Sequence, residues 1–433
     1  MNAYVVIGLG FGNEGKGSIV EAMVQRHKAG LVVRFNGGPQ AFNTVKRPDG
    51  KSHVFRQFGS GSFIPGTYTL VSAWALANLS KLDIEAKELE QLGVRDAIHK
   101  IYFDERAVVI TPLHRAVSWL RETARRDRRI GTSMEGVGET MADAMGQPSA
   151  ALYMGDLRNA KVLAKKLTGI YERMWRKATN LVGLPDTQEV REQLAVFDRS
   201  LADWALDYLK FYQKVHTRVL DPYEVSRLLA AQDNIVFEGA QGVLLDERWG
   251  FPPHTTWSTT TARNARLLLE EAEIVERPVV IGVTRSYTTR HGYGPLPTED
   301  VKLGSALKRL DCRSRQGLGR FRYGCLDLPL LQYALKAGGA VDLLAVTHMN
   351  AVTEEWPMAH AYDRSVLRKQ ATLEDQEVMG IELTKAQPIV HRYAAEDVLP
   401  CISELLETPV GLTSTGPLYT DKEFHGALAA KPA

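Results

Sequence analysis

The sequence predicts an α/β fold: a mostly parallel central sheet with a phosphate loop after the first strand, plus a helical subdomain. Three observations carry this expectation. Residues 3–8 (AYVVIG) form a short apolar run, and a glycine-rich turn spans residues 10–17. Residues 18–27 then show helical periodicity, with Ile19, Val20 and Met23 on one side, and residues 31–35 form a second apolar run. Short apolar runs bounded by glycine read as buried strands, and strand, turn, helix, strand is the repeating unit of parallel sheets. Between residues 156 and 230 the pattern turns helical, as in YERMWRKA and DWALDYLKFYQKV.

The remaining elements follow in order. Further strands are expected at residues 107–110, 234–238, 279–283 and 343–347, each apolar and followed by polar or glycine residues. Parallel sheets carry their binding loops at such strand ends. No linker rich in Pro, Gly and Ser divides the chain. The expected organisation is a single unit over residues 1–433, with 156–230 as its helical subdomain.

Bulk properties exclude several classes. Lys plus Arg number 53 and Asp plus Glu 51, a balance that argues against a nucleic-acid scaffold. The basic run from Arg121 to Arg129 reads as a solvated helix face. Cys312, Cys325 and Cys401 suit neither a disulfide framework nor a zinc site, which points to a reducing cytoplasm. No apolar run reaches the roughly 20 residues that cross a bilayer, so no membrane partner is expected. The tryptophans read as packing residues, and His291 and His348 as structural or exposed.

The chemistry starts at GFGNEGKGS, residues 10–18, which fits G-x-x-x-x-G-K with Gly17 where Ser or Thr is usual. Glycines let backbone N–H groups converge on a phosphate, the next helix adds its positive N-terminal end, and Lys16 adds a point charge. Gly17 removes the hydroxyl that usually holds magnesium.

Six further segments follow in chain order: RFNGGPQAFNT (34–44), IGTSMEGVG (130–138), FEGAQGVLLD (237–246), SYTTRHGYGPLPTE (286–299), GRFRYGCLD (319–327) and STGP (414–417). Together with the loop they resemble the successive motifs of the adenylosuccinate synthetase family. The resemblance implies a ligase that phosphorylates the 6-oxygen of inosine monophosphate with GTP and Mg²⁺, after which the aspartate amine displaces the phosphate. It places the donor nucleotide on Gly12, Glu14, Gly15, Lys16, Gly17, Thr44, Asn350, Ser414, Gly416 and Pro417. The purine mononucleotide falls to Gln40, Thr132, Ser133, Gln241 and Thr256, and aspartate to Arg320 and Arg322. Asn13, Lys16, Asn43 and Gln241 take the catalytic positions, and Asn13 is also a weak metal ligand. The resemblance further implies a homodimer.

Several positions depart from the family pattern. Its loop aspartate, which takes the N1 proton and helps to hold Mg²⁺, is Asn13. Its phosphoryl-stabilising histidine is Asn43, and the glycine before that histidine is Phe42. Its guanine-reading T-K-L-D is THMN (347–350), which brings ATP or dATP forward as donor beside GTP. RSRQGLG (313–319) stands where the family has a threonine-rich aspartate loop. The segment around Gln147 lacks the arginine with which the family reaches a neighbouring subunit's nucleotide. A branch of the family, from phages that carry 2-aminoadenine in their DNA, shows similar departures, using dGMP as acceptor and an adenine nucleotide as donor. The favoured reading is therefore dGMP, aspartate and ATP or dATP, in host cytoplasm if phage-encoded. The alternatives are a synthetase acting on inosine monophosphate or another 6-oxopurine nucleotide, and a nucleotide-binding homologue with impaired catalysis.

Overall fold

The computed structural model describes residues 1–308 and 319–429. Its centre is a sheet built from β1 (Asn2–Gly8), β2 (Leu31–Arg34), β3 (Tyr68–Val71), β4 (Ile101–Asp104), β5 (Val219–Leu220), β6 (Asn234–Glu238), β7 (Val279–Arg285), β8 (Leu343–Thr347), β9 (Val410–Ser414) and β10 (Lys422–Phe424). Their spatial order is β10-β9-β8-β7-β1-β6-β2-β3-β4-β5. Every neighbouring pair is parallel except β9 with β10.

β1 is central because it is apolar on both faces. Val5 and Ile7 join the large core with Phe35 and Phe237, while Tyr4 and Val6 pack on the opposite side with Ile19, Val20 and Met23. That split follows the period-two alternation of a strand. The second group comes from α1 (Lys16–His27), the helix after the glycine turn.

The expected strand at residues 107–110 is corrected. Only Val108–Val109 is extended, and it pairs with Leu76–Ala77 in a separate two-stranded sheet. Ala107 turns back to Asp104 through its backbone N–H, which ends β4 before this segment begins. Ala107, Val109 and Ile110 are buried, and burial alone does not assign a strand to a sheet.

Helices α2 (Pro112–Ala124), α3 (Val137–Gly146), α4 (Ala160–Thr179) and α5 (Leu201–Val215) gather on the β4 side. α2 starts at Thr111 with a reciprocal capping box to His114, and α4 starts at Asn159, whose side chain accepts from two backbone N–H groups. Leu163, Leu167, Ile170 and Met174 form the buried stripe of α4 and meet Leu113, Val117 and Leu120 of α2. Each such side chain contributes roughly 1.5–3 kcal/mol through burial. The helical stretch is interrupted by β5, the edge strand of the main sheet. Among the described residues, no helix is long and apolar enough to cross a membrane.

Candidate functional site

Because the strands are parallel, the loops after β1, β2, β6, β7, β8 and β9 emerge on one edge of the sheet. There they enclose a cavity of about 590 Å³. The wall carries Gly12, Asn13, Gly15, Lys16 and Gly17 after β1, and Gln40, Asn43 and Thr44 after β2. It also carries Gln241 and Thr256 after β6, Asn350 after β8, and Ser414, Gly416 and Pro417 after β9. Thr132 and Ser133 close it from the segment before α3. Glu14, Arg320 and Arg322 are absent from this wall.

The carbonyls of Gly10, Gly12, Asn13 and Glu14 in the glycine-rich loop are each held by a donor. The carbonyl of Asn13 accepts from Arg285 Nε at 2.5 Å, and that of Glu14 from Thr347 Oγ1 at 2.7 Å. Gly10 O accepts from Leu244 N, and Gly12 O from Lys16 Nζ at 3.1 Å. α1 begins at Gly15 (φ 87°) with no side-chain cap. Its first N–H groups and its positive dipole end face the cavity, the arrangement that binds phosphate. The Glu14 carboxylate is folded under the loop, where it accepts from Gly12 N at 2.6 Å and pairs with Lys16 Nζ at 2.8 Å. Gly8, Gly10 and Gly242 make room for it, since a Cβ on any of them would lie within 3.0 Å of its oxygens. The Glu14 side chain thus stands behind the loop and holds Lys16.

Across from the loop are two glutamines. Gln241 packs its backbone on Gly12, where an added Cβ would sit 3.2 Å from Gln241 Cα. Its Nε2 reaches Gln40 O at 3.4 Å, while among the described residues its buried Oε1 finds no partner, and neither do Oε1 and Nε2 of Gln40. Buried amide atoms are rarely left unpaired. Asn43 is held differently. Its Nδ2 donates to Glu238 Oε1 at 2.5 Å, and the same carboxylate accepts from Ser60 N and Oγ. Phe42 has φ 48° and Met134 φ 56°. Phe42 stands where the family motif has glycine, and both residues adopt the left-handed backbone that glycine favours.

The segment before α3 is anchored from below. Fully buried Glu122 accepts from Gly131 N at 2.7 Å and pairs with Arg125 at 2.8 Å. The reading of residues 121–129 as a solvated face is corrected in part, since Arg121 and Arg125 line the cavity. His348 also lines it, with burial, and then Arg285 and Lys422, pushing its imidazole far below the usual range and keeping it neutral. Arg290 is fully buried, lies over the Phe11 ring at 4.1 Å and donates to the carbonyls of Tyr293 and Pro295. Burial, and then Arg322, lowers its pKa to about 9.

Arg320 and Arg322 stand outside the cavity wall. Both pair with Glu299, at 2.5 and 2.6 Å, and Arg322 also donates to Gly292 O and Gly294 O. The segment RSRQGLG lies, apart from Gly319, outside the described residues. Sequence reading missed Lys46, Trp257, Arg285 and Arg290, all on the wall. Arg290 sits inside the motif segment 286–299 and Arg285 directly before it, so both were within reach; Lys46 and Trp257 carried no signal. Among the described residues, no group of three or more His, Cys, Asp or Glu side chains could hold a metal. Asn13 offers a neutral amide oxygen beside the loop, which suits an Mg²⁺ carried in on phosphates rather than one caged by protein.

Fold and cavity define a nucleotide-binding α/β protein with a phosphate loop after its first strand. The chain belongs to the adenylosuccinate synthetase family, whose family model matches residues 5–421. Similar curated proteins include the adenylosuccinate synthetase of Picrophilus torridus, 34% identical over 351 residues (80% of this chain, 76% of that protein). That of Bdellovibrio bacteriovorus is 31% identical over 79% of this chain and 76% of its own. The solved structure of the fully ligated Plasmodium falciparum adenylosuccinate synthetase superposes with a TM-score of 0.78 at 19% identity, covering 98% of this chain and 100% of that one. The cyanophage S-2L succinoaminodeoxyadenylate synthetase, bound to dGMP and dATP, superposes with a TM-score of 0.56 at 15% identity, covering 99% and 96%. At these identities both superpositions speak to fold alone. The protein is an adenylosuccinate synthetase-like ligase.

Proposed function

We propose that this ligase joins aspartate to C6 of a 6-oxopurine mononucleotide, with dGMP as favoured acceptor and ATP or dATP as donor. The reading rests on one observation. The cavity wall carries the neutral amides of Asn13, Gln40, Asn43 and Gln241, and three buried amide atoms of the two glutamines have no partner among the described residues. A guanine edge offers one acceptor, O6, and two donors, N1–H and the 2-amino group. Amides answer both kinds, and the glutamine oxygens can accept from a 2-amino group that hypoxanthine lacks. A site built for an N–H discriminates against an analogue without it.

In the first step O6 attacks the γ-phosphorus, the bond to the β-phosphate oxygen breaks, and the nucleoside diphosphate leaves. The aspartate amine then attacks C6 and gives up a proton to water or to the leaving phosphate, the C6–O bond breaks, and phosphate departs. Loop amides and Lys16 hold the donor phosphates, and Thr132, Ser133 and Thr256 hold the acceptor's phosphate. Asn13 hydrogen-bonds the base but is no base itself, so the N1 proton leaves to water or a phosphate oxygen. Mg²⁺ on the donor, with Asn13 beside it, would neutralise phosphate charge. Asn350, neutral where guanine recognition uses a carboxylate, favours an adenine donor, with Ser414, Gly416 and Pro417 beside it. Arg320 and Arg322 remain the proposed grip on aspartate, with the substrate carboxylates replacing Glu299. A homodimer in a reducing cytoplasm completes the proposal.

The second reading, inosine monophosphate as acceptor, is favoured by the curated relatives, which are adenylosuccinate synthetases. One assay decides. The protein is incubated with Mg²⁺, aspartate, ATP or GTP, and either dGMP or inosine monophosphate, and the new purine is followed by absorbance and mass. Product from dGMP with ATP is expected. Product from inosine monophosphate alone overturns the dGMP reading, and binding without product in any mixture overturns the ligase activity.

A further inference from the structure

Six cations line the cavity: Lys16, Lys46, Arg121, Arg125, Arg285 and Arg290. Five are already engaged. Lys16 pairs with Glu14, Arg121 with Glu139 at 2.7 Å and Arg125 with Glu122. Arg285 donates to Asn13 O and to Tyr287 Oη, and Arg290 to backbone carbonyls. Lys46 alone has no acid and no hydrogen-bond partner among the described residues. A long side chain on an exposed hairpin usually finds nothing to do but solvate. This one ends a strand whose position argues otherwise.

The strand Asn43–Lys46 pairs antiparallel with Ser52–Phe55, Asn43 opposite Phe55 and Lys46 opposite Ser52. Strand alternation turns Asn43 and Val45 inward, where both are buried. Thr44 and Lys46 share the other face, and both lie on the cavity wall. The strand starts against the head of α1, since a Cβ on Gly17 would lie 2.9 Å from Asn43 Cβ. Lys46 is thus rooted about 7 Å further along the strand than Thr44, a gap its long flexible stem can span.

The charges at this end of the cavity give the reason for a cation there. The Lys16–Glu14 pair is neutral as a unit, Asn13 is neutral, and Asn43 has its one donor group committed to Glu238. A triphosphate entering this end meets helix dipole, amides and the guanidinium of Arg285, which is held on Asn13 O and Tyr287 Oη. We infer that Lys46 is a donor-binding residue whose ammonium contacts the phosphate tail of the nucleoside triphosphate, supplying the charge that Asn43 cannot. This rests on the phosphate-loop reading of the donor site, and the test separates the two.

ATP binding in the presence of Mg²⁺ is measured by calorimetry for the wild type, Lys46→Met, Lys46→Arg and Lys16→Ala. Lys46→Met should weaken ATP about tenfold, the scale of one charge-assisted hydrogen bond. Lys46→Arg should restore most of that loss, and neither change should move affinity for the acceptor mononucleotide or the thermal midpoint. If Lys16→Ala weakens ATP and Lys46→Met does not, the inference falls and the loop reading stands. If both leave ATP binding unchanged, the loop reading falls with it. A drop in the thermal midpoint with Lys46→Met, together with loss of acceptor affinity, would mark a structural role and overturn the proposal.

Discussion

At the residue scale, the site is a set of amides where charged groups would do acid–base work. Asn13 keeps the geometry of the loop, its carbonyl fixed by Arg285, but cannot accept a proton. Asn43 spends its amide nitrogen on Glu238, which also holds Ser60 and lies 3.8 Å from Arg34. Restoring a carboxylate at position 13 is therefore a direct test of what the amide costs. Asn13→Asp should raise kcat/KM with inosine monophosphate at least tenfold, the low end of roughly 10²–10⁴ for a placed general base being reduced by imperfect fit. The same change should do less with dGMP. Equal gains for both acceptors would show that position 13 does not discriminate between the bases.

At the scale of single elements, α1 couples the site to the core. Its N-terminus faces the cavity, while its C-terminal His27 is buried, with Tyr4 Oη 3.0 Å from His27 Nδ1. Burial, and then Arg26, lowers the His27 pKa to about 4. Above pH 6.5 the imidazole is neutral in both folded and unfolded chains, and this group has no pH effect. Between pH 6.5 and 4 the unfolded chain takes up a proton that the folded one refuses, so stability falls as pH falls. The loss approaches about 3 kcal/mol by pH 4, because each tenfold difference in proton affinity between the two states is worth about 1.4 kcal/mol. Urea midpoints measured across that window should fall more steeply for the wild type than for His27→Gln. Parallel curves would show that His27 titrates normally.

At the scale of the whole molecule, six loops from distant parts of the chain meet on one sheet edge, so a ligand in the cavity ties them together. A nucleotide that binds only the folded state stabilises it by about 2.7 kcal/mol at a concentration a hundredfold above its dissociation constant. ATP with Mg²⁺ should therefore raise the thermal midpoint of the wild type. The rise should vanish in Lys16→Ala, which loses the phosphate anchor. A rise of equal size in Lys16→Ala would place ATP somewhere other than the phosphate loop.

Sequence alone determined the βαβ start, the glycine loop, the buried strands β6, β7 and β8, and the family motifs. These are local signals: periodicity, glycine punctuation, and spacings fixed by a turn around a phosphate. Phe42 was legible as a departure from glycine, but only the backbone revealed that it keeps φ positive. Tertiary structure decided the rest. It put residues 108–109 outside the main sheet and brought β3, β4 and β9 into it, because strand pairing depends on partners far away in the chain. It turned Glu14 under the loop and tied Arg320 and Arg322 to Glu299. It left Lys46 on the cavity wall without a counter-charge among the described residues, because whether a charge is paired depends on which acids the fold brings within 4 Å, and spacing along the chain does not record that.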